Sequence, residues 1–396
     1  MSTLTVGTII EKVADAGVAV DGVTLKDGGV GTASSPVSLQ ASSLNGGQFG
    51  GRRNLIINGA MQLSQRVGDS SSSANNYGAT PDRIRQEAYG GASASFQRVT
   101  DAPTGFKHSL KVTCAGTTAP TSGNTLRLMT GLEGQNVAHL SYGTAQAKKA
   151  TLSFYVKASE TGTYSVAFVN IAPSGDITSN VTRSFIKTYT VNSSNTWEYK
   201  TLTFDGCPDG TWGSSNSDGI TIIFDLGSGS DHQGTTDTWL TTSDTSASGQ
   251  VTLGDSNGGT WQITGIQLEV GEQATPFEHR SFGEELELCK RYFYKTNPND
   301  ANTRGELSGN LYTSNQAVVD HVLQPQMRAS PTITRGGTND NFYVAGKDTN
   351  ATGTTSTTFV GPTSIWIEIG SMTIANSGAV GLNCTYNGQL SIDAEL

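Results

Sequence analysis

The side chains in this sequence that could do chemistry are few and scattered. Five histidines (His108, His139, His232, His279 and His321) stand apart, and none has the i, i+4 spacing that puts two imidazoles on one helix face to share a metal. Asp231, His232 and Asp237 sit together in a Gly/Thr-rich stretch, and Asp255, Asn257, Asn216 and Asp218 offer oxygens of the kind Ca²⁺ takes, but no set has EF-hand spacing. Residues 254–258 (GDSNG) match the G-x-S-x-G of a hydrolase nucleophile elbow, which needs a strand-to-helix turn around the serine. A strand-type run follows instead (261–270, WQITGIQLEV), so Ser256 reads as a loop residue. Glu284, Glu285 and Glu287 cluster as an acid/base group would, yet suit a solvated helix start equally well. No phosphate-cradling G-x-x-x-x-G-K-[ST] loop occurs. The sequence therefore predicts no catalytic residue, no metal site and no cofactor, and a chain that is not an enzyme.

What remains is recognition. A sugar ring is held by an aromatic face beneath it and by Asp, Asn or Gln at its hydroxyls. Trp212 (in GTWGSSNSDG) and Trp239 (in HQGTTDTWLTT) lie in polar, Gly-rich segments, with Asp209, Asp218, Asp231 and Asp237 near them in sequence. These six are the candidate glycan-binding residues. Trp197, Trp261 and Trp366 fall within strand-like patterns and are expected in the core.

The elements that must position these residues follow from composition. The 396 residues include 48 Gly and many Ser, Thr and Asn, with only 15% charged residues. That mixture starves helices and favours short strands joined by tight turns. Net charge is −9, which argues against a nucleic-acid partner. No window approaches the ~18 apolar residues of a membrane span, and no secretory leader is apparent, so a protein made in a cytoplasm is expected. Cys114, Cys207, Cys289 and Cys384 lack paired spacing and are expected as reduced, buried thiols.

Short strands are predicted at 54–57, 109–113, 152–157, 164–170, 197–204, 220–225 and 261–270, then at 316–323, 332–335, 341–344, 364–369 and 390–392. One helix is predicted at 283–293, where Ser281 and Glu284 form an S-x-x-E capping box and Leu286, Cys289 and Phe293 share a face. The fold class is thus all-β: a jelly-roll β-sandwich (49–282), then a short helix and a second β domain (283–396). Residues 1–48 form an extended arm with no Trp, Tyr or Phe, expected to dock or self-associate because it cannot build a core alone.

Three stretches carry a family likeness: STLTVGTIIEKVADAGVAVDGVTLKDG at the start, RRNLIINGAMQLSQR at 52–66, and GIQLEVGEQATPFEHRSFGEELELCKRYFYK at 265–295. Together with the later MRASPTIT (327–334), they resemble the tail-fibre and tail-associated structural proteins of marine and other tailed bacteriophages. One departure stands at Pro81-Asp82-Arg83-Ile84-Arg85, where that family commonly has Trp after Asp-Arg. The resemblance implies a virion structural protein with a carbohydrate-binding-like sandwich, exposed on the particle. It would be homotrimeric, docked to tail or capsid proteins through residues 1–48, and turned toward a host surface glycan or protein. A capsid decoration protein and a polysaccharide depolymerase are the alternatives. In the 265–295 stretch, Ile266, Leu268 and Val270 alternate as a buried strand, and Arg280 is placed to meet Glu278 or a carbonyl, so this motif reads as framework.

Overall fold

The computed structural model describes residues 52–73, 80–90, 93–171, 181–296, 307–313, 316–336, 341–344, 349–352, 354–370, 383–386 and 389–395, together with four short strands near the N-terminus. The chain divides into two compact units, Met1–Gly51 and Arg52–Leu396. In the first, β1 (Val18–Val20) pairs antiparallel with β2 (Val23–Leu25). The pair β3 (Gly31–Thr32) and β4 (Ser35–Pro36) is also antiparallel. The rest of the expected docking arm lies outside the described residues.

The second unit opens with the sandwich. Its strands are β5 (Arg85–Tyr89), β6 (Ala94–Val99), β7 (Ser109–Cys114), β8 (Thr125–Glu133), β9 (Ala150–Ala158), β10 (Gly162–Ile171), β11 (Val181–Val191), β12 (Glu198–Phe204), β13 (Asp218–Asp225), β14 (Trp239–Leu240) and β15 (Thr260–Val270). They form a six-stranded sheet ordered β14-β11-β10-β13-β8-β5 and a five-stranded sheet ordered β12-β9-β15-β7-β6, both antiparallel. The chain passes back and forth between the two sheets, as in a jelly roll. Leu152, Phe154 and Val156 of β9 and Ile263, Ile266 and Leu268 of β15 alternate inward, and all are buried. Phe168 stacks on Phe204, Phe154 meets Tyr189 and Phe224 edge-on, and the buried Trp261 donates its Nε1–H to the Tyr189 hydroxyl at 3.1 Å.

A bulge between Thr264 and Gln267 lets β15 keep its apolar face inward. Gly265 sits in it at φ +64°, and a Cβ there would stand 2.7 Å from Phe106 Cζ, so both backbone and space call for glycine. On the opposite face, Gln267 and Glu269 of β15 are polar yet buried. Gln267 accepts from the Glu278 amide at 2.8 Å and Glu269 from the Thr275 amide at 2.9 Å, because residues 272–279 cover them.

The strand predicted at 54–57 does not form. Leu55 donates its amide to the Leu268 carbonyl, but the Asn54 side chain takes the neighbouring ladder positions, donating to Ile266 O and accepting from the Leu268 amide. Glu278 accepts from the Arg53 and Asn54 amides, and Arg280 donates to the Asn54 and Ile56 carbonyls and to Glu285. The stretches 52–66 and 265–295 are therefore laced together as framework.

A short helix, α1 (Gly134–Val137), follows β8. The predicted helix appears as α2 (Phe282–Lys290), with Ser281 Oγ accepting from the Glu284 amide as its cap. It ends before Phe293, which enters β16 (Phe293–Lys295). The remaining strands are β17 (Leu307–Thr313), β18 (Gln316–Val322), β19 (Thr332–Gly336), β20 (Asn341–Val344), β21 (Thr349–Thr352), β22 (Thr354–Val360), β23 (Ser364–Gly370), β24 (Asn383–Tyr386) and β25 (Gln389–Asp393). They form sheets ordered β16-β25-β19 and β21-β20-β24-β17-β18-β23-β22, with a separate apolar core that includes Val319, Met327, Ile367 and Ile392. Trp366, expected in the core, is only half-buried on β23.

Sandwich and tail meet through buried charge. Arg291 grips the fully buried Glu133 with two bonds of 2.7 Å, and the Tyr292 hydroxyl donates to the same carboxylate at 2.5 Å. Arg83 lies over the Tyr292 ring and reaches Glu395. Burial opposes the Glu133 charge, but Arg291, Tyr292 and Arg83 outweigh it and hold the carboxyl below the usual range. Cys114, Cys207 and Cys289 are free and buried, and burial drives the Cys114 thiol up to about 12. The fourth, Cys384, carries no described side chain.

Candidate functional site

Three connections converge at one end of the sandwich: residues 134–149, residues 205–217 and the short β14. Backbone bonds tie the first two to each other, and the Trp239 side chain ties β14 to the second. Gly134 N donates to Ser217 O, Gln135 N to Ser215 O, and Gly143 N to Cys207 O. Gly143 makes the approach possible. Its φ is +86°, and a Cβ there would lie 2.7 Å from Gly210 O and 3.1 Å from Trp212 Cδ1.

The result is a cleft of about 440 Å³, within the ~300–1,000 Å³ range of small-ligand pockets. Its wall is Trp212 and Tyr142, backed by Val137 and Ile220, with Ser141, Thr144, Gln146 and Ser214 on the rim. Trp212 packs edge-on against Tyr142 (ring centres 4.9 Å apart) and Trp239 (5.6 Å). Trp239 continues the stack onto Phe185 at 5.1 Å, opposite which it pairs across β11 and β14. Both indoles are oriented by their N–H groups, Trp212 donating to Asp209 O at 3.0 Å and Trp239 to Asp205 O at 3.1 Å. Both rings are half-buried. The Tyr142 hydroxyl is enclosed without a hydrogen-bond partner, and burial, then Cys207 and Asp205, push its ionisation well above the usual phenol range. An unpaired buried hydroxyl costs about 1–3 kcal/mol, which a ligand hydroxyl reaching it would recover.

The structure brings Trp212 and Trp239 together but not the four candidate aspartates. Asp209 is exposed and salt-bridged to Arg183 at 2.7 Å, and that bond holds its carboxyl low. Asp237 pairs with Lys187 at 2.6 Å, and Asp231 lies exposed in a single 3₁₀ turn. Asp218 starts β13 facing Arg83, Arg85 and Arg328 at the junction with the tail; burial raises its carboxyl above the usual range, and its Oδ1 has no hydrogen-bond partner. None of the four lines the cleft. Nearness in sequence does not bring them to the cleft, because Asp209, Asp231 and Asp237 lie on turns and connections held by other partners and Asp218 opens β13 at the junction with the tail. Tyr142 was missed, although the Tyr142-Gly143 step and the φ +57° of Ser141 mark the tight turn that presents it. The GDSNG segment forms a 3₁₀ turn, Leu253–Asp255, ahead of β15, so the nucleophile-elbow context is lacking. No group of three or more His, Cys, Asp or Glu suited to a metal occurs among the described residues.

A second aromatic surface lies on the outer face of the five-stranded sheet. Tyr199, 47% exposed, sits opposite Tyr155 in register with ring centres 5.0 Å apart, and Phe106 extends the row toward Phe277. Trp197, expected in the core, is half-exposed just before β12, its Nε1–H donated to Asp101 at 3.3 Å.

No protein-family model matches the sequence, and no curated protein matches it. Solved structures that overlap part of the chain include a family 4 carbohydrate-binding module, CBM4, at 16% identity over 53% of this chain and 99% of that one, with a TM-score of 0.29. The family 11 carbohydrate-binding module of the cellulase Lic26A-Cel5E of Clostridium thermocellum overlaps at 12% identity, 54% and 99% coverage and a TM-score of 0.27. TmCBM61 in complex with β-1,4-galactotriose overlaps at 11% identity, 55% and 99% coverage and 0.25. These TM-scores mark loose overlap.

Proposed function

We propose that this chain is a non-catalytic glycan-binding protein of a phage particle, a tail fibre or tail-associated receptor-binding protein. The observation that carries the binding half is the Trp212–Tyr142 cleft: an aromatic wall, a rim of hydroxyl and amide groups, and no carboxylate in its lining. A saccharide's apolar ring face suits the indole, and its hydroxyls suit Ser141, Thr144, Gln146 and Ser214. Glycoside cleavage would need two carboxylates flanking the bond, so the lining favours holding a sugar over cutting it. The particle half rests on the phage-like sequence stretches. Residues 1–48 dock to tail or capsid proteins, the chains associate as homotrimers, and weak contacts at several identical sites add up to firm attachment to the host surface.

The test is a glycan array probed with the full chain and with Trp212→Ala. The variant should lose binding by at least about tenfold, while Trp239→Ala, which removes a buttress outside the lining, should lose less. Unchanged binding by Trp212→Ala would refute the cleft. Light scattering on the same preparation should give the mass of three chains; a monomer would refute the oligomer.

A further inference from the structure

A groove of about 490 Å³ runs between α2 and the sandwich, and its chemistry is unlike that of the cleft. The chain as a whole is acidic, yet this lining holds Arg98, Lys107, Lys290 and Lys295 and no carboxylate. Arg98 and Lys290 have acidic partners outside the lining, Asp69 at 2.6 Å and Glu287 at 2.8 Å. Lys295 instead leans on the carbonyls of Arg66 and Gln65 at 3.3 and 3.5 Å, and Lys107 is exposed with no ion pair among the described residues. Two cationic charges therefore stand without a carboxylate beside them.

Two further features point to a ligand. His108 lines the groove, is only 7% exposed, and has no hydrogen-bond partner at Nδ1; Ser64, also in the lining, has its Oγ enclosed without a partner. Buried polar atoms are normally hydrogen-bonded, so a pair of open ones in one groove marks where oxygen atoms belong. Phe282, 59% exposed at the start of α2, supplies flat apolar surface in the same lining, beside Tyr294, whose own ring stacks on His321. Anion, oxygens and ring face are together the chemistry of a charged sugar.

We propose that this groove is a second binding site, for an acidic saccharide unit. Its anionic group lies between Lys107, Lys295 and Arg98, and its ring lies against Phe282. The proposal rests on the glycan-binding reading in its ligand class but shares no residue with the Trp212 cleft, so the two fail separately. A nucleic acid would offer the same charge, but the groove has no row of aromatic rings on which successive bases could stack.

The test is calorimetry on the full chain with trigalacturonate, dextran sulfate, neutral dextran and a single-stranded oligonucleotide. Binding to trigalacturonate or dextran sulfate is expected, weakening as salt is raised, and which of the two binds tells a carboxylate from a sulfate ligand. The Lys107→Gln/Lys295→Gln double variant should lose at least about tenfold in affinity, and Lys107→Arg/Lys295→Arg should keep most of it. Trp212→Ala should bind the acidic sugar as the parent does. Equal binding of neutral dextran, tightest binding of the oligonucleotide, an unaffected double variant, or loss on Trp212→Ala would each overturn the proposal.

Discussion

The Trp212 cleft and the α2 groove are nearly equal in volume, about 440 and 490 Å³, and opposite in chemistry. The cleft's lining carries no charged side chain and relies on aromatic surface with a hydroxyl and amide rim. The groove's carries four cations and a buried histidine. Neither is made by the strands of the sandwich alone. Connections and helix ends build both, so the sandwich serves as a rigid frame on which separate recognition surfaces can differ freely. They also share one anchor. Glu133 directly precedes α1, whose Val137 walls the cleft, and Arg291, which grips Glu133, directly follows Lys290 of the groove.

That shared anchor gives the largest expected effect. Glu133→Ala should leave Arg291 and the Tyr292 hydroxyl without their buried partner and destabilise the protein by about 3–5 kcal/mol, read from urea midpoints. It should weaken both binding activities together; loss confined to one would show that the two surfaces are set independently. Gly143→Ala comes next. A left-handed alanine costs roughly 1–2 kcal/mol, and the new methyl would press on Trp212, so neutral-glycan binding should fall while acidic-sugar binding holds. Equal loss of both would erase the contrast between the surfaces.

The smallest effect is a pH response. The folded Glu133 carboxyl lies below its ordinary value, so its stabilisation is complete above about pH 4.3 and is lost as pH falls from there through the folded value. Arg83, Arg291 and Tyr292 face it and supply that shift. Urea midpoints measured from pH 6 downward should therefore fall less steeply in Glu133→Gln than in the parent. Parallel curves would mean that the junction carries no such linkage.

Much of the architecture could be read directly. Strands at 341–344 and around 152–157, 220–225 and 261–270 were visible as β-branched and aromatic runs between Gly and Asp turns, and the Ser281 cap marked the start of α2. The segment at 54–57 misled because its residues suit a strand, while a side chain, Asn54, takes the partner's hydrogen bonds. Trp197 misled because it looked like the first residue of a strand that begins one residue later, at Glu198.

The candidate sites divide the same way. Sequence alone determined that Trp212 sits in a polar, Gly-rich connection, since local composition decides whether a segment can be a buried strand; Trp239, from a similar segment, enters the short edge strand β14. It could not decide that Tyr142 completes the cleft, that Asp218 turns to the tail, or that Lys107 and Lys295 share a groove with His108. Those facts depend on sheet register and on which connections meet at one end of the sandwich. Register is a long-range property, set by the inward alternation of the whole core, and a shift of one residue would reverse every side chain it places.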